Sequence, residues 1–376
     1  MPTTHHRPHV AAPAVMLLVT VGALTGSTTT ASAGTTEPPA LPTYTLQVLD
    51  PLPGGTSHLA LGSSRAGVVG TSRTGPDTRP QHATLWHDDH VDDLGTLPGS
   101  TFSRAFAINR RGQVVGEAFT APPEVSRAVM WEPGGTIRDL GTLGGAGAVA
   151  NDVDDLGRAY GVSSPASGSS TATVWDRRGP RALPVPDPGT PGASRVNAVT
   201  ASGDAVGAAP VRSSGTTTTL AVRWDARGLR HVPTVLPPLE AGRFATALGV
   251  DGDVTVGEAT RLDPGTTRTS TRAVRWEDGA VEELAPLDGY RFTRATDVSP
   301  EGYAVGFASG FAGFPSIDGS AVLWTDELAV DLETVVVDLP DGLELRSAES
   351  VDDRGRIAGF ATVQGRNVAV LLTPLG

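Results

Sequence analysis

Cysteine is absent from all 376 residues, so disulfide bonds, thiolate metal sites and a lipidated cysteine are excluded. Lysine is absent too, and the 29 basic residues, all arginine, are outnumbered by 41 acidic ones. The net charge of −12 argues against nucleic acid as the main partner. No segment of the folded part shows sustained 3.6-residue periodicity, so the sequence predicts a chain without helix.

One apolar run stands at the N-terminus. Arg7 precedes residues 10–24, which are mostly apolar, and small residues then lead to Ala31-Ser32-Ala33. This order is typical of a secretory signal peptide, and the run is shorter than the ~20 residues that span a bilayer. The sequence therefore predicts a secreted protein with cleavage after Ala33, a linker over residues 34–43 and a folded domain over residues 44–376. An uncleaved membrane anchor is the alternative, but no second apolar segment supports it, and no membrane span is expected in the mature chain.

A repeat of about 45 residues organises the rest of the chain. It contains a segment like Val-Val-Gly and, further on, the tetrapeptide Ala-x-x-Trp. The repeated glycines are Gly70, Gly116, Gly161, Gly207, Gly257, Gly306 and Gly359, at intervals of 45 to 53 residues. The repeated tryptophans are Trp86, Trp131, Trp175, Trp224, Trp276 and Trp324. Every tryptophan of the protein thus occupies one repeat position.

Each repeat divides into four short strands separated by Gly- and Pro-rich turns, as in residues 103–109, 113–119, 127–132 and 137–140. Four strands per unit of this length predict a propeller blade, and seven units predict an all-β, seven-bladed β-propeller with four antiparallel strands per blade. The last unit lacks its fourth strand, whereas residues 44–49 form an unaccompanied one. We therefore expect this N-terminal strand to close the last blade, which leaves no open sheet edge.

Three strings carry a resemblance to a known family. They are Asp139-Leu140-Gly141-Thr142-Leu143-Gly144-Gly145, Ala107-Ile108-Asn109 with Gly112-Gln113-Val114-Val115-Gly116, and His82-Ala83-Thr84-Leu85-Trp86. They resemble the bacterial extracellular HAF repeat, named for a His-Ala-Phe tripeptide; here only His82 keeps the histidine, and Thr84 replaces the phenylalanine. The resemblance implies secretion and a repeated β architecture. It brings no established chemistry, so no catalytic residue is carried over.

Two groups of residues are candidate ligand contacts. Arg104, Arg195 and Arg294 share a position early in the first strand, which lines the channel of a propeller; they would form a partial ring suited to a carboxylate or phosphate. The favoured alternative is that each pairs with an acidic side chain of a neighbouring blade. Phe311 and Phe314 lie in a Gly-rich connection, with Phe307 just before it, and these rings suit sugar stacking or protein contact. Alternatively, these rings pack between blades 6 and 7.

Acidic and histidine side chains offer weaker candidates. Asp and Asn recur in the hairpins after the first strands, where a turn is favoured over a calcium site. The segment 87–93 is rich in His and Asp but coincides with a hairpin tip, so a solvated turn is favoured over a metal site. Asp152 and Asp297 share a repeat position and would be the carboxylate pair of an enzyme; a turn role is favoured there as well. No nucleophile elbow, H-E-x-x-H or P-loop occurs.

These observations favour a secreted, monomeric, non-catalytic binding or scaffold propeller without cofactor or metal. It would present variable loops on one face to an extracellular glycan, such as a cell-envelope polymer, or to an exported protein. The connections between second and third strands, at residues 163–170, 208–219, 259–271 and 308–320, are the expected variable loops. The competing hypothesis is an extracellular carbohydrate-active hydrolase or lyase with carboxylates around the central channel.

Overall fold

The computed structural model describes residues 41–75, 80–120, 125–213, 215–228, 230–311, 318–326 and 328–375. These residues form seven antiparallel sheets around one axis, which confirms the predicted seven-bladed β-propeller. Six blades have four strands each in chain order. Blade 1 contains β2 (His58–Ser64), β3 (Gly67–Arg73), β4 (Gln81–His87) and β5 (His90–Gly95), blade 2 contains β6 (Ser103–Ile108), β7 (Val114–Phe119), β8 (Ser126–Glu132) and β9 (Thr136–Asp139), and blade 3 contains β10 (Gly144–Val153), β11 (Ala159–Pro165), β12 (Thr171–Asp176) and β13 (Gly179–Ala182). Blade 4 contains β14 (Arg195–Val199), β15 (Ala205–Ser213), β16 (Thr216–Arg227) and β17 (Arg230–Val235), blade 5 contains β18 (Ala245–Asp251), β19 (Val254–Leu262), β20 (Thr269–Glu277) and β21 (Ala280–Glu283), and blade 6 contains β22 (Phe292–Val298), β23 (Ala304–Ser309), β24 (Ser320–Trp324) and β25 (Ala329–Asp331).

Blade 7 joins the two ends of the chain. Its strands are β27 (Leu343–Val351), β28 (Ile357–Val363), β29 (Arg366–Pro374) and the N-terminal β1 (Tyr44–Val48). β1 pairs antiparallel with β29 from Tyr44↔Pro374 to Val48↔Val370, so the predicted closure is confirmed.

The outer edge of blade 7 holds a fifth strand that the sequence did not predict. The linker from blade 6 forms a 3-10 helix (Leu332–Val335), the one helical segment in the described part of the chain, and then β26 (Val336–Val337). β26 pairs in parallel with β1 at Tyr44↔Val336. The linker therefore covers the edge that β1 would otherwise expose.

The repeated glycine is required by a close approach of two strands. In every blade the first strand has a register shift just after the residue opposite this glycine, as between Ala105 and Ala107 in blade 2. A β-carbon on Gly116 would lie 1.9 Å from the carbonyl oxygen of Arg104, and the other six glycines have an equivalent contact at 1.9–2.2 Å. No side chain fits at this position unless the two strands move apart.

The repeated tryptophan packs each blade against the preceding one. Trp175 of blade 3, for example, is 2% exposed and belongs to one buried cluster with Val115, Met130 and Leu140 of blade 2. Its Nε1 donates a hydrogen bond to Gly141 O, in the linker between the two blades. Four other indoles make the same bond to their own linker, the acceptors being Asp50 O, Pro184 O, Pro237 O and Ala285 O. Leu372 replaces the tryptophan in blade 7 and is buried.

The linkers between blades and the connections between second and third strands lie on one face, which we call the linker face. Two of the predicted variable loops there are mostly strand. In blade 4, β15 and β16 pair as far as Ser213↔Thr216, and in blade 5, β19 and β20 pair as far as Leu262↔Thr269. These two hairpins extend from the linker face as arms. The connection predicted at 308–320 is only partly described.

The predicted signal peptide, residues 1–33, lies outside the described residues, as does most of the predicted linker, residues 34–43. Both stay predictions. In the part of the chain that the structure describes, no helix has the length and apolar character needed to cross a membrane.

Candidate functional site

The channel along the propeller axis contains two cavities. The first, of about 610 Å³, opens on the linker face and we call it the linker-face cavity. The second, of about 520 Å³, opens on the opposite face, where the hairpins after the first strands lie, and we call it the hairpin-face cavity. Five residues line both cavities and form the waist of the channel: Leu61, Phe106, Arg294, Thr296 and Glu349.

Blades 6, 7, 1 and 2 build the linker-face cavity. Its apolar wall consists of Leu59, Leu61, Phe106, Phe307 and Phe360. Polar and charged side chains complete the lining, namely Thr71, Gln81, Arg104, Arg294, Thr296, Arg346, Glu349, Thr362 and Asn367. Small-ligand pockets commonly combine apolar and aromatic surface with convergent polar groups.

Arg104 and Arg294 line this cavity and are both paired with glutamate. Arg104 Nη2 lies 2.6 Å from Glu117 Oε1 on the adjacent strand of its own blade. Arg294 of blade 6 donates two hydrogen bonds, each of 2.8 Å, to Glu258 of blade 5. Both guanidinium groups also lie over phenylalanine rings, Arg104 over Phe106 at 5.8 Å and Arg294 over Phe307 at 5.7 Å. The predicted pairing between blades thus occurs at Arg294, whereas Arg104 pairs within its blade.

Arg195, at the same repeat position, is not part of the lining of the linker-face cavity. Its Nε donates to Asn197 Oδ1 at 3.1 Å, and its Nη2 contacts Thr246 Oγ1 at 3.4 Å. Burial lowers its pKa, against the opposing effect of Glu258. The structure therefore brings two of the three predicted arginines into one cavity and leaves the third beside it.

The three predicted phenylalanines have different environments. Phe307 is 4% exposed and forms part of the channel wall. Phe311 is 69% exposed on the linker face, as expected for a ligand or protein contact. Phe314 lies outside the described residues. Phe307, placed by the sequence just before the connection, belongs to strand β23.

Asp152 and Asp297 occupy equivalent places in the hairpin-face cavity and tie neighbouring blades together. Asp152 accepts hydrogen bonds of 2.7 Å from the backbone N–H of Val153 and of Val199, the latter in blade 4. Asp297 accepts bonds of 2.9 Å from the N–H of Val298 and of Val351, the latter in blade 7. Burial raises the pKa of Asp152 to about 7. It raises that of Asp297 to about 6, although the amide donors act in the opposite direction.

The turn role expected of hairpin Asp and Asn residues is carried by Asn109, Asp154 and Asp352. Asp154 Oδ1 accepts hydrogen bonds from the N–H of Leu156 and of Arg158. Asn109 and Asp352 close their hairpins in the same way. These side chains satisfy backbone donors inside a tight turn, which confirms the turn interpretation for them.

The His- and Asp-rich segment 87–93 forms a hairpin with a two-residue turn. Its central residues, Asp88 and Asp89, have positive φ values of 45° and 60°. His87 Nε2 lies 2.8 Å from Asp92 Oδ2, and this contact raises the pKa of His87. Among the described residues, no three His, Asp or Glu side chains are grouped so as to hold a metal ion.

Sequence reasoning missed Glu349 at the waist. Its Oε1 accepts a hydrogen bond of 2.5 Å from Ser347 Oγ. Burial raises its pKa, while Arg294 opposes this shift. The alternation of side chains along a strand could have indicated this residue. Glu349 lies two residues after Ser347 on β27, and alternate residues of a strand share a face. The same alternation places Phe106 at the waist, two residues after Arg104.

The fold and the channel define the class of this protein, a seven-bladed β-propeller. It is similar to the β-propeller domain of the Trilobed protease from Pyrococcus furiosus, which has an open velcro topology, with a TM-score of 0.55 and 8% identity over 85% of this chain and 95% of that one. It is also similar to the Pyrococcus horikoshii acylaminoacyl peptidase, with a TM-score of 0.53 and 11% identity over 85% of this chain and 52% of that one. At these identities the similarity concerns the fold. No family model and no curated protein sequence matches the chain.

Proposed function

We propose that this protein is a secreted, non-catalytic binding propeller that takes an extracellular glycan or an exported protein on its linker face. The linker-face cavity carries this proposal, because it combines an apolar wall, polar side chains and a volume of about 610 Å³. The hairpin arms of blades 4 and 5 and the exposed ring of Phe311 lie on the same face. The predicted signal peptide and the resemblance to HAF repeats support an extracellular location.

The hydrogen bonds and ion pairs of the channel carboxylates favour binding over hydrolysis. A glycoside hydrolase places two carboxyl groups on either side of the bond that it cleaves. In the channel, both oxygens of Asp152 and of Asp297 accept backbone hydrogen bonds, and one oxygen of each thereby joins two blades. Glu258 is held by the two donors of Arg294. These groups serve as structural ties, and moving them toward a substrate would leave buried N–H donors unpaired.

The test is a binding screen with the protein beginning at Gly34, against cell-envelope polysaccharides and envelope protein fractions. We expect saturable binding to at least one of them, without release of reducing ends or unsaturated products. The hydrolase hypothesis predicts product release that disappears in Asp152→Asn or Asp297→Asn. Product release of that kind, or no binding throughout the screen, would overturn the proposed function. N-terminal sequencing of the exported protein tests the cleavage after Ala33.

A further inference from the structure

Building on the proposed function, we infer that the linker-face cavity binds the end of an uncharged saccharide chain. Three properties of the cavity support this ligand class. They are the ion pairing of its arginines, its combination of aromatic rings with unpartnered amides, and its limited volume above the waist.

The arginines that face the cavity are paired with glutamates of the protein. Arg104 pairs with Glu117 and Arg294 with Glu258, and the side chains of these two glutamates are only 7% and 9% exposed. Arg346 pairs with Glu344, whose side chain is exposed. An anionic ligand at Arg104 or Arg294 would have to displace a buried glutamate from its arginine and leave that carboxylate uncompensated. The cavity is therefore better suited to a neutral ligand than to a carboxylate or phosphate.

The wall and the rim of the cavity match the two chemical faces of a sugar ring. Phe106 and Phe360 are half-buried in the wall and offer surfaces for the C–H face of a sugar. At the rim, the side-chain amides of Gln81 and Asn367 make no hydrogen bond to any described residue. Each amide supplies both a donor and an acceptor, which is the combination that vicinal hydroxyls require.

The waist limits how a polymer can enter. Leu61, Phe106 and Glu349 line both cavities and mark the boundary between them. A volume of about 610 Å³ holds a small ligand rather than a continuous chain. Glu349 lies at the base of the cavity, where Oε1 accepts from Ser347 and Oε2 has no partner among the described residues. It can therefore accept a hydrogen bond from a hydroxyl of a terminal sugar.

The experiment is isothermal titration calorimetry with linear neutral oligosaccharides of glucose, mannose, galactose and N-acetylglucosamine. Each is compared with its uronic-acid counterpart where one exists, and maltoheptaose is compared with β-cyclodextrin, which has no chain end. Asn367→Ala and Phe106→Ala are the test variants. Leu156→Ala is the matched control, because its side chain is 63% exposed on the opposite face. Phe311→Ala tests binding on the linker face outside the cavity lining.

We expect a neutral linear oligosaccharide to bind and its affinity to fall about tenfold in Asn367→Ala, through loss of a hydrogen bond. Phe106→Ala should weaken binding at least as much, and Leu156→Ala should leave it within about twofold. Asn367 has no hydrogen-bonded side-chain partner in the described structure, so this variant remains informative if Phe106→Ala unfolds.

Three results would overturn the inference: stronger binding of the uronic-acid series, equal binding of the cyclic glucan, or loss of binding in Phe311→Ala but not in Asn367→Ala. Each of them would leave the proposed binding function standing. A protein that binds only envelope proteins would also overturn this inference alone. The proposed function itself fails only if the broader polymer and protein screen is also negative.

Discussion

Replacing Trp175 with phenylalanine should destabilise the propeller more than the same replacement at Trp131. Both indoles are buried at one repeat position, 2% and 1% exposed, so both variants lose a similar apolar area. Trp175 Nε1 donates to Gly141 O at 3.0 Å, whereas Trp131 Nε1 is buried without a partner. The linker carbonyl equivalent to Gly141 O is that of Gly95, which instead accepts from Ser103 Oγ at 2.7 Å.

The difference between the two variants isolates one buried hydrogen bond. Trp175→Phe leaves the Gly141 carbonyl without its donor, which costs about 1–2 kcal/mol beyond the lost packing. Trp131→Phe removes an N–H that is already unpaired and carries no such cost. Trp175→Ala should cost about 3–5 kcal/mol, because it also opens a cavity between blades 2 and 3.

The assay is urea unfolding followed by far-ultraviolet circular dichroism, with free energies extrapolated to water and m-values compared. Equal losses in the two phenylalanine variants would refute the role of the linker hydrogen bond. A Trp175→Ala protein as stable as the parent would refute the packing of blades through this residue.

Three further predictions follow from the backbone and the channel. Gly116→Ala should lower the free energy of unfolding by about 1–3 kcal/mol or more, because the added β-carbon would lie 1.9 Å from Arg104 O. Gly75→Ala should be nearly neutral in the same unfolding assay, because its β-carbon would meet no atom closer than 3.7 Å. A chain beginning at residue 54 loses β1 and the buried Tyr44, Leu49 and Leu52, which should lower the free energy of unfolding by roughly 5–9 kcal/mol. Light scattering and calorimetry should show aggregation, or a much lower Tm than that of a chain beginning at residue 34. Equal melting of the two chains would contradict ring closure. Burial raises the pKa of Asp152 from 3.8 to about 7, so its contribution to stability is complete below about pH 4 and is lost as the pH rises through 7. The Tm of the parent should therefore fall more steeply between pH 5 and 8 than that of Asp152→Asn, and parallel pH profiles would contradict this role.

The periodic features of the fold were predictable because they are local and repeated. Seven glycines at one repeat position and six tryptophans at another can be recognised in a single sequence. The last unit has only three strands, so the unaccompanied strand at the other end of the chain was expected to complete it. The fifth strand of blade 7 was not predictable, because Val336 and Val337 pair with β1 only after the ring has closed. Likewise, no local pattern distinguishes the hairpin arms of blades 4 and 5 from loops.

The candidate site was only partly predictable. Arg104 and Arg294 were identified from their repeat position, but their glutamate partners depend on which strands and blades become neighbours. The role of Asp152 and Asp297 in joining blades was missed, since a carboxylate near a hairpin looks like a turn residue when the next blade is not considered. Phe307 and Phe311 are close in sequence, yet the strand turns one into the channel wall while the other remains exposed.

The sequence by itself determined the number of blades, the residues that pack them and the way the ring closes, because each depends on a pattern repeated along the chain. It also predicts export, through the N-terminal segment. Only the tertiary structure decided which side chains share the linker-face cavity and which charges there are already paired. These properties arise from contacts between residues far apart in sequence, where one blade meets the next around a common axis.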